Sequence, residues 1–328
     1  MKIDYNLCKS NDFLDLNKLF FKCFNFNPGN DYFNWKHLHN PSGRSITIIA
    51  IHLNKIIASF TLMPEYFSIN KKIKKIYQGV DLFIDPDFRG LGLFKQLVKN
   101  VENELSKVDN NYYLFVHSVP LSGIGFAKNP RWRLIKKLDY IFLNKYYFNI
   151  KKSINIINKK LNINVSEPKI HELKKFFQKK INLEKSIIKY FNEDIFNWRF
   201  IKHPHQKYFF LKILNNQEIE TLVVYSKDKK NRIKIEFLKF SEHKKITQDV
   251  KEICKFIFKK EKTNWIYTYK NTNNLVELAY KKNGFITNIF NKGIFSFKPS
   301  FIVCGNQHIN NVDFYDSNNY EIMPSIGD

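Results

Sequence analysis

Cysteine is scarce in this sequence and never closely paired. Cys8, Cys23, Cys254 and Cys304 are the only four in 328 residues, with no CxxC among them. That spacing excludes a disulfide framework and a zinc pattern, and the thiols are expected to be reduced and buried. No metal site is expected. Long apolar runs are missing too. The stretch 46–63 is interrupted by His52, Asn54 and Lys55, so nothing approaches the roughly 20 residues of a membrane helix. Asp4, Asn6, Lys9, Asn11 and Asp12 break up any secretory leader, and a cytoplasmic location without a membrane span is expected. Acid is also in short supply, with 30 Asp and Glu against 54 Lys and Arg and a formal net charge of +24.

What remains is rich in apolar groups. Hydrophobic residues make up 44% and aromatic residues 16%, which excludes a disordered chain and provides for about two domains with separate cores. The excess of lysine admits nucleic acid as a partner, because neutralised phosphates give sequence-independent affinity. The lysines are, however, spread among Asn, Ile and Phe throughout the chain, as an AT-rich coding bias would also spread them. A solvated basic surface is therefore the expectation, with its field favouring small anions.

A repeat lies near the midpoint. Phe33-Asn34-Trp35-Lys36 leads to Asn40-Pro41, and Phe196-Asn197-Trp198-Arg199 leads to His203-Pro204, so the phrase recurs after 197 − 34 = 163 positions. It holds two of the four tryptophans and reads as a duplicated packing device at a helix end, stopped by proline. Strands are expected at 45–51, 55–63 and 74–84, a helix at 93–108, and strands at 112–117 and 140–150. The second half offers strands at 208–214, 220–225 and 232–240, a helix at 246–261, a strand at 265–269, a helix at 274–282 and an extended stretch at 285–297. The order is a meander, helix, strand, helix, strand, given twice.

Between the strand at 74–84 and its following helix stands Ile84-Asp85-Pro86-Asp87-Phe88-Arg89-Gly90-Leu91-Gly92. Glycines at a strand-to-helix turn let backbone N–H groups face a concavity without an obstructing side chain. The helix N-terminus adds partial positive charge and Arg89 a cation, which suits a pyrophosphate. The loop is neither a Walker loop nor a dinucleotide fingerprint, since both need glycine spacings that are absent.

This segment resembles motif A of the GNAT superfamily of N-acetyltransferases, with Arg89, Gly92, Ile84 and Pro86 on the pattern and Phe94 where the family has a small residue. The resemblance runs over about 33–147, through Trp35, Pro41, Asp81 and Pro120-Leu121-Ser122, and extends in arrangement to bacterial proteins with two GNAT-like halves, some associated with surface polysaccharide synthesis. It implies an α/β (α+β) fold of two GNAT-like domains in tandem, each a mixed, mostly antiparallel sheet flanked by helices. The expected divisions are a first domain at 1–150, a linker and opening helix at 151–183, a degenerate second domain at 184–304 and a polar, acidic tail at 305–328. The segment 237–245 lacks glycine, so the second copy is expected to have lost the phosphate loop. Its Asn271, Asn274, Tyr280 and Asn283-Gly284-Phe285 resemble motif B, with Tyr280 read as structural.

The resemblance implies acetyl-CoA, or another acyl-CoA, as co-substrate, held by Leu82, Phe83, Ile84, Arg89, Gly90, Leu91, Gly92, Leu93 and Phe94. The acceptor would be a small amine, with an amino sugar or nucleotide-linked amino sugar leading. A backbone N–H near Leu82 or Phe83 would hold the oxyanion. Asp81 and His117 are the candidate bases, Asp81 being preferred to Gln78 because an amide accepts no proton usefully. The first copy has Phe126 where a proton-donating tyrosine would stand; Tyr112 and Tyr113 precede the cleft, so water, Ser118 or Ser122 are left as acids, or none at all. An aminoacyl- or long-chain acyltransferase, and a nucleic-acid binder on the same scaffold, are the competing readings.

Overall fold

The computed structural model describes residues 1–118, 120–152, 161–179, 186–241, 245–270, 274–287 and 298–321. The chain divides into two compact units. The first comprises 1–136 with 203–205 and 300–315; the second comprises 137–202, 206–299 and 316–328.

In the first unit β1 (Asp4–Leu7), β2 (Ile46–His52), β3 (Lys55–Ile69) and β4 (Lys72–Ile84) form an antiparallel meander. β5 (Leu114–Ser118) joins β4 in parallel, and beyond it come Ser300–Cys304 and then β6 (Trp132–Lys137). The expected hairpin about Leu53-Asn54 forms, and both residues take positive φ, 48° and 60°, as a tight two-residue turn between twisted strands requires. Alternation along the strands sends side chains to two faces. On one face α3 (Leu93–Val108) buries Leu93, Leu97, Val98, Val101 and Leu105 against Ile48, Ala50, Phe60, Tyr77 and Val116. On the other, α1 (Phe13–Phe24) buries Phe13, Leu16 and Leu19 with Phe33, Ile49 and Phe83. At roughly 25 cal/mol per Å² of apolar surface, these two clusters are the main source of the unit's stability.

The repeated phrase has the same backbone in both copies. A single helical turn, α2 (Asn30–Phe33) or Glu193–Phe196, widens into a turn closed by an i to i+5 bond. His39 N–H donates to Asn34 O at 3.1 Å and Lys202 N–H to Asn197 O at 2.8 Å. The strands Ile46–His52 and Phe209–Asn215 also begin 163 residues apart, so the repeat seen in the sequence is also a repeat of local structure.

In the second unit the strand order begins with Ile286–Thr287 beside β7 (Tyr140–Asn144) and continues through Trp265–Tyr269, Ile233–Phe240, Glu218–Lys227 and Phe209–Asn215 to Asn162–Asn164. The helix Ile246–Glu261 buries Ile246, Val250, Ile253, Cys254, Ile257 and Phe258 against this sheet.

Two features differ from the sequence expectation. The strand at 140–150 ends at Asn144, because the Asn144 carboxamide accepts from the Tyr146 N–H at 2.9 Å and starts a helix, Lys145–Lys152, which is the ordinary chemistry of an N-terminal cap. The compact units also depart from the sequence halves: the last strand of each half sits in the other's sheet, β7 pairing with Trp265–Tyr269 and Ser300–Cys304 with β5. Within the acidic tail, His308–Ile309 and Val312–Asp313 form a hairpin. Of the extended stretch only Ile286–Thr287 is a strand; 288–297, Asn271, 242–244 and 322–328 lie outside the described residues.

Candidate active site

β4 and β5 are held together at Tyr77 opposite Leu114, Gln78 opposite Phe115 and Gly79 opposite Val116. After Gly79 the pairing stops and the strands diverge. The closeness of the last pair depends on Gly79, since a Cβ there would stand 2.6 Å from Val116 Cγ1 and 2.9 Å from Phe60 Cζ.

Just past this point β4 carries a bulge. Thr61 faces Val80 and Ser59 faces Phe83, so Asp81 and Leu82 together stand opposite Phe60. Asp81 takes a left-handed φ of 50°. A bulge withdraws one residue from the ladder and bends the strand, and this one falls just past the last β4–β5 pair, next to the Leu82 and Phe83 backbone where an oxyanion donor is expected.

The Asp81 side chain is turned into the protein. Its Oδ1 lies 3.0 Å from Lys36 Nζ and its Oδ2 2.9 Å from His37 Nε2, with all three side chains at most 7% exposed. Lys36 also donates to the Tyr32 hydroxyl at 3.2 Å, and His37 Nδ1 meets Ser45 Oγ at 3.1 Å. Burial alone would raise the Asp81 pKa, but the neighbouring Lys36 and His37 outweigh it and hold the carboxyl at about 2. Burial pushes His37 below its ordinary value against the pull of Asp81. The basic residue of the repeated phrase thus ties the π-type turn to the bulge. The phrase signalled packing in the sequence; the only sign of this further role was that a basic residue follows the tryptophan in both copies.

His117 lies on β5 one residue beyond the last ladder pair, half-buried between the rings of Phe115 and Phe301, with centroids at 5.8 and 5.2 Å. Gln78 is buried in the paired part of the ladder. Tyr112 is committed elsewhere, its hydroxyl accepting from Arg131 at 2.6 Å and facing Glu102 at 3.4 Å, and Tyr113 donates to the His308 carbonyl at 2.9 Å. Ser118 Oγ is 3.5 Å from the Ser300 carbonyl. Tyr280 is fully buried in the second unit, packed on Phe285 at 4.7 Å.

The loop after β4 fits a phosphate group. Gly90 and Gly92 have φ of 82° and 75°, and a Cβ on either would meet nothing within 4 Å. The backbone here is bent in a way that favours glycine, and its surface is open. Gly92 precedes α3 with no side-chain cap on the helix, which leaves the first N–H groups of a 16-residue helix facing outward. Asp85 and Asp87 flank the loop, but Lys22 bridges both, at 2.7 and 2.6 Å. Arg89 Nε donates to the Ile84 carbonyl at 3.3 Å. Phe94 does not crowd the helix start: its ring packs at 5.0 Å from Phe126 and over Gly125, where a Cβ would stand 2.7 Å from its Cζ.

Residues 12–126 match the family model described as Acetyltransferase (GNAT) family. No curated protein matches the sequence. Among solved structures, the chain is similar to a protein of unknown function from Enterococcus faecalis V583, described as a probable N-acyltransferase, at 10% identity over 92% of this chain and 72% of that one, with a TM-score of 0.69. It is similar at 9% identity to a tandem GNAT protein of the clavulanic acid biosynthesis pathway, over 93% of this chain and 98% of that one, with a TM-score of 0.61. Similarity to Saccharomyces cerevisiae N-myristoyltransferase, solved with myristoyl-CoA, extends over 98% of this chain and 89% of that one at 12% identity and a TM-score of 0.58. The family match and these likenesses share one content, the fold.

Proposed function

We propose that this chain, whose residues 12–126 form an acetyltransferase (GNAT) domain within a tandem GNAT fold, is an acyl-CoA-dependent N-acyltransferase for a small amine, with an amino sugar or nucleotide-linked amino sugar as the leading acceptor class. The observation that carries the reading is the sequence of features along one strand: the last β4–β5 pair at Gly79, the bulge at Asp81 and Leu82, then the two-glycine loop and an uncapped helix start.

In this reading Arg89 and the backbone amides from Gly90 to Phe94 hold the pyrophosphate, and the backbone of Leu82, Phe83 and Ile84 flanks the acyl arm. The acyl-CoA supplies an activated thioester carbonyl. The bulge amide donates to the oxygen that gains charge as the amine adds, and the cleft places both reactants at high effective molarity. His117 is assigned to take a proton from the ammonium so that the neutral amine attacks the thioester carbonyl, the C–S bond breaks and CoA leaves as a thiolate; imidazole is the side chain suited to such a transfer near neutral pH. Asp81 is better suited to positioning: a carboxylate held at about 2 takes up a proton poorly near neutral pH, whereas its ion pair fixes the bulge.

The test is thermal shift and thiol release with acetyl-, octanoyl- and myristoyl-CoA against a panel of amines. The expected result is a higher melting temperature with at least one thioester, lost in Gly92→Glu, and a fall in kcat of about 10²- to 10⁴-fold in His117→Ala, the usual worth of acid–base catalysis. Absence of both stabilisation and thiol release with all three thioesters would overturn the assignment.

A further inference from the structure

The two lysine pairs around Ile73, Lys71-Lys72 and Lys74-Lys75, place four cations within five residues at the start of β4, and the site above uses none of them. All four are exposed. Here β4 is paired on one side only. Lys72 to Ile76 face Ile69 to Glu65 of β3, while β5 joins the other side no earlier than Tyr77. Tyr77 N–H donates to the Tyr113 carbonyl at 2.9 Å. By the two-residue period of a strand, the Lys75 N–H turns to the same side, where β5 has not begun.

A cavity of about 430 Å³ opens at this edge, lined by Lys74 and Lys75 of β4, by Asp109, Asn111 and Tyr113 between α3 and β5, and by Asn306 and the 308–310 stretch of the first unit. Its volume lies within the range of about 300–1,000 Å³ typical of small-molecule sites. Its lining mixes ammonium, carboxamide, imidazole and carboxylate groups with an apolar part supplied by Tyr113 and Ile309. The walls are anchored. Tyr113 holds the His308 carbonyl at 2.9 Å, Asn310 Nδ2 donates to the Ile69 carbonyl at 3.3 Å, and the Asn310-Asn311 turn of the hairpin has φ of 49° and 61°.

We propose that this cavity is a second binding site, for a phosphorylated sugar or a similar phosphomonoester of a polyol. The Lys74 ammonium and the inward-turned Lys75 N–H supply donors that a phosphate needs, and the exposed Lys75 ammonium, which rests 5.9 Å from the Tyr66 ring centroid, adds positive charge at the rim. The carboxamides of Asn111, Asn306 and Asn310 offer donors and acceptors to hydroxyl groups. Asp109 makes the choice sharper. One of its oxygens takes the Asn111 N–H at 3.0 Å, and the other is a strong acceptor that would repel a bare polyanion but hold a sugar hydroxyl. A nucleic-acid strand fits less well, because the site is a concavity with a carboxylate in its wall and its aromatic residue, Tyr113, is buried with its hydroxyl bonded to the His308 carbonyl, so that little of the ring is open to stack on a base. The inference does not depend on the acyltransferase reading.

The experiment is isothermal titration of the full chain with glucose 6-phosphate, glucose, inorganic phosphate and a thymidine oligonucleotide. Glucose 6-phosphate is expected to bind at least tenfold more tightly than glucose or phosphate. Lys74→Glu with Lys75→Glu should weaken it at least tenfold, Asn306→Asp should weaken it through added negative charge, and Gly92→Glu should leave it unchanged. The lysines are exposed, and an unaltered melting temperature without ligand confirms that the double variant is folded. Four results would each overturn the site: no binding of glucose 6-phosphate at millimolar concentration, equal binding by the charge variants, loss in Gly92→Glu, or displacement by the oligonucleotide.

Discussion

Asp81 shows how far one side chain departs from its sequence reading. In sequence it is an acid on the right strand; in the fold its charge is spent on Lys36 and His37, 45 and 44 positions away. Single-partner removal leaves a buried charge without compensation, so Asp81→Ala is expected to destabilise the protein by about 3–5 kcal/mol. Lys36→Met should cost a comparable amount, and Asp81→Asn combined with Lys36→Met should lose less than the sum of the two single changes, a coupling that urea unfolding measures. The pH dependence follows from the direction of the shift. The folded carboxyl lies near 2, below its ordinary 3.8. Its stabilisation is therefore complete above about pH 4 and disappears as pH falls towards 2. A urea midpoint that declines from pH 5 to 2 in the wild type, and declines less in Asp81→Asn, is the expected pattern; parallel declines would exclude Asp81 as the titrating anchor. The acid itself was legible because it stands on a recognisable strand. Its partners were not, because a contact between a helical turn and a strand leaves no local periodicity in either.

At the scale of elements, β4, the two-glycine loop and α3 were readable from alternation, turn residues and the 3.6-residue period. The bulge was not, since it is a mismatch between two strands and neither one alone records it. Gly79 is the position where this matters most. Gly79→Ala would place a methyl group 2.6 Å from Val116 Cγ1, at the last pair before β4 and β5 part. Overpacking of this kind costs about 1–3 kcal/mol, and the divergence would start one pair earlier. The expected outcome is a lower melting temperature together with weaker stabilisation by the thioester that binds. Gly125→Ala makes a useful contrast, because its clash is with the tip of the Phe94 ring at 2.7 Å. Adding Phe94→Leu should restore much of the stability lost in Gly125→Ala and none of that lost in Gly79→Ala. Phe94, a departure from the family pattern in sequence, is accommodated here by a missing Cβ on another helix.

For the whole molecule, duplication was legible in two tryptophans spaced by 163 residues, while the assignment of the last strands was not. A strand's own residues specify its two faces and say little about which distant edge it will join, because pairing is settled by long-range closure of the chain. The consequence is that neither half of the sequence contains a complete sheet. β5 takes its outer neighbour from Ser300–Cys304, register Val116 opposite Ile302, and Trp265–Tyr269 takes its own from β7, register Ile266 opposite Leu143. A fragment of residues 1–150 would keep the β4 pairing of β5 but expose its outer edge, leaving unpaired the backbone groups of Leu114 to Ser118 that face Ser300–Cys304 and removing Ile302 and Cys304 from the core that holds Val116 and Trp132, a known route to aggregation. It would also carry β7 with no sheet to join. Residues 1–150 alone are therefore expected to be insoluble or to lack cooperative unfolding. Co-expression of 1–150 with 151–328 should restore a soluble complex, because all strand partners are then present and only one covalent connection is missing. If the 1–150 fragment folds cooperatively by itself and is stabilised by a thioester as the full chain is, the strand from 300–304 is dispensable and the exchange has no part in building the acyl site.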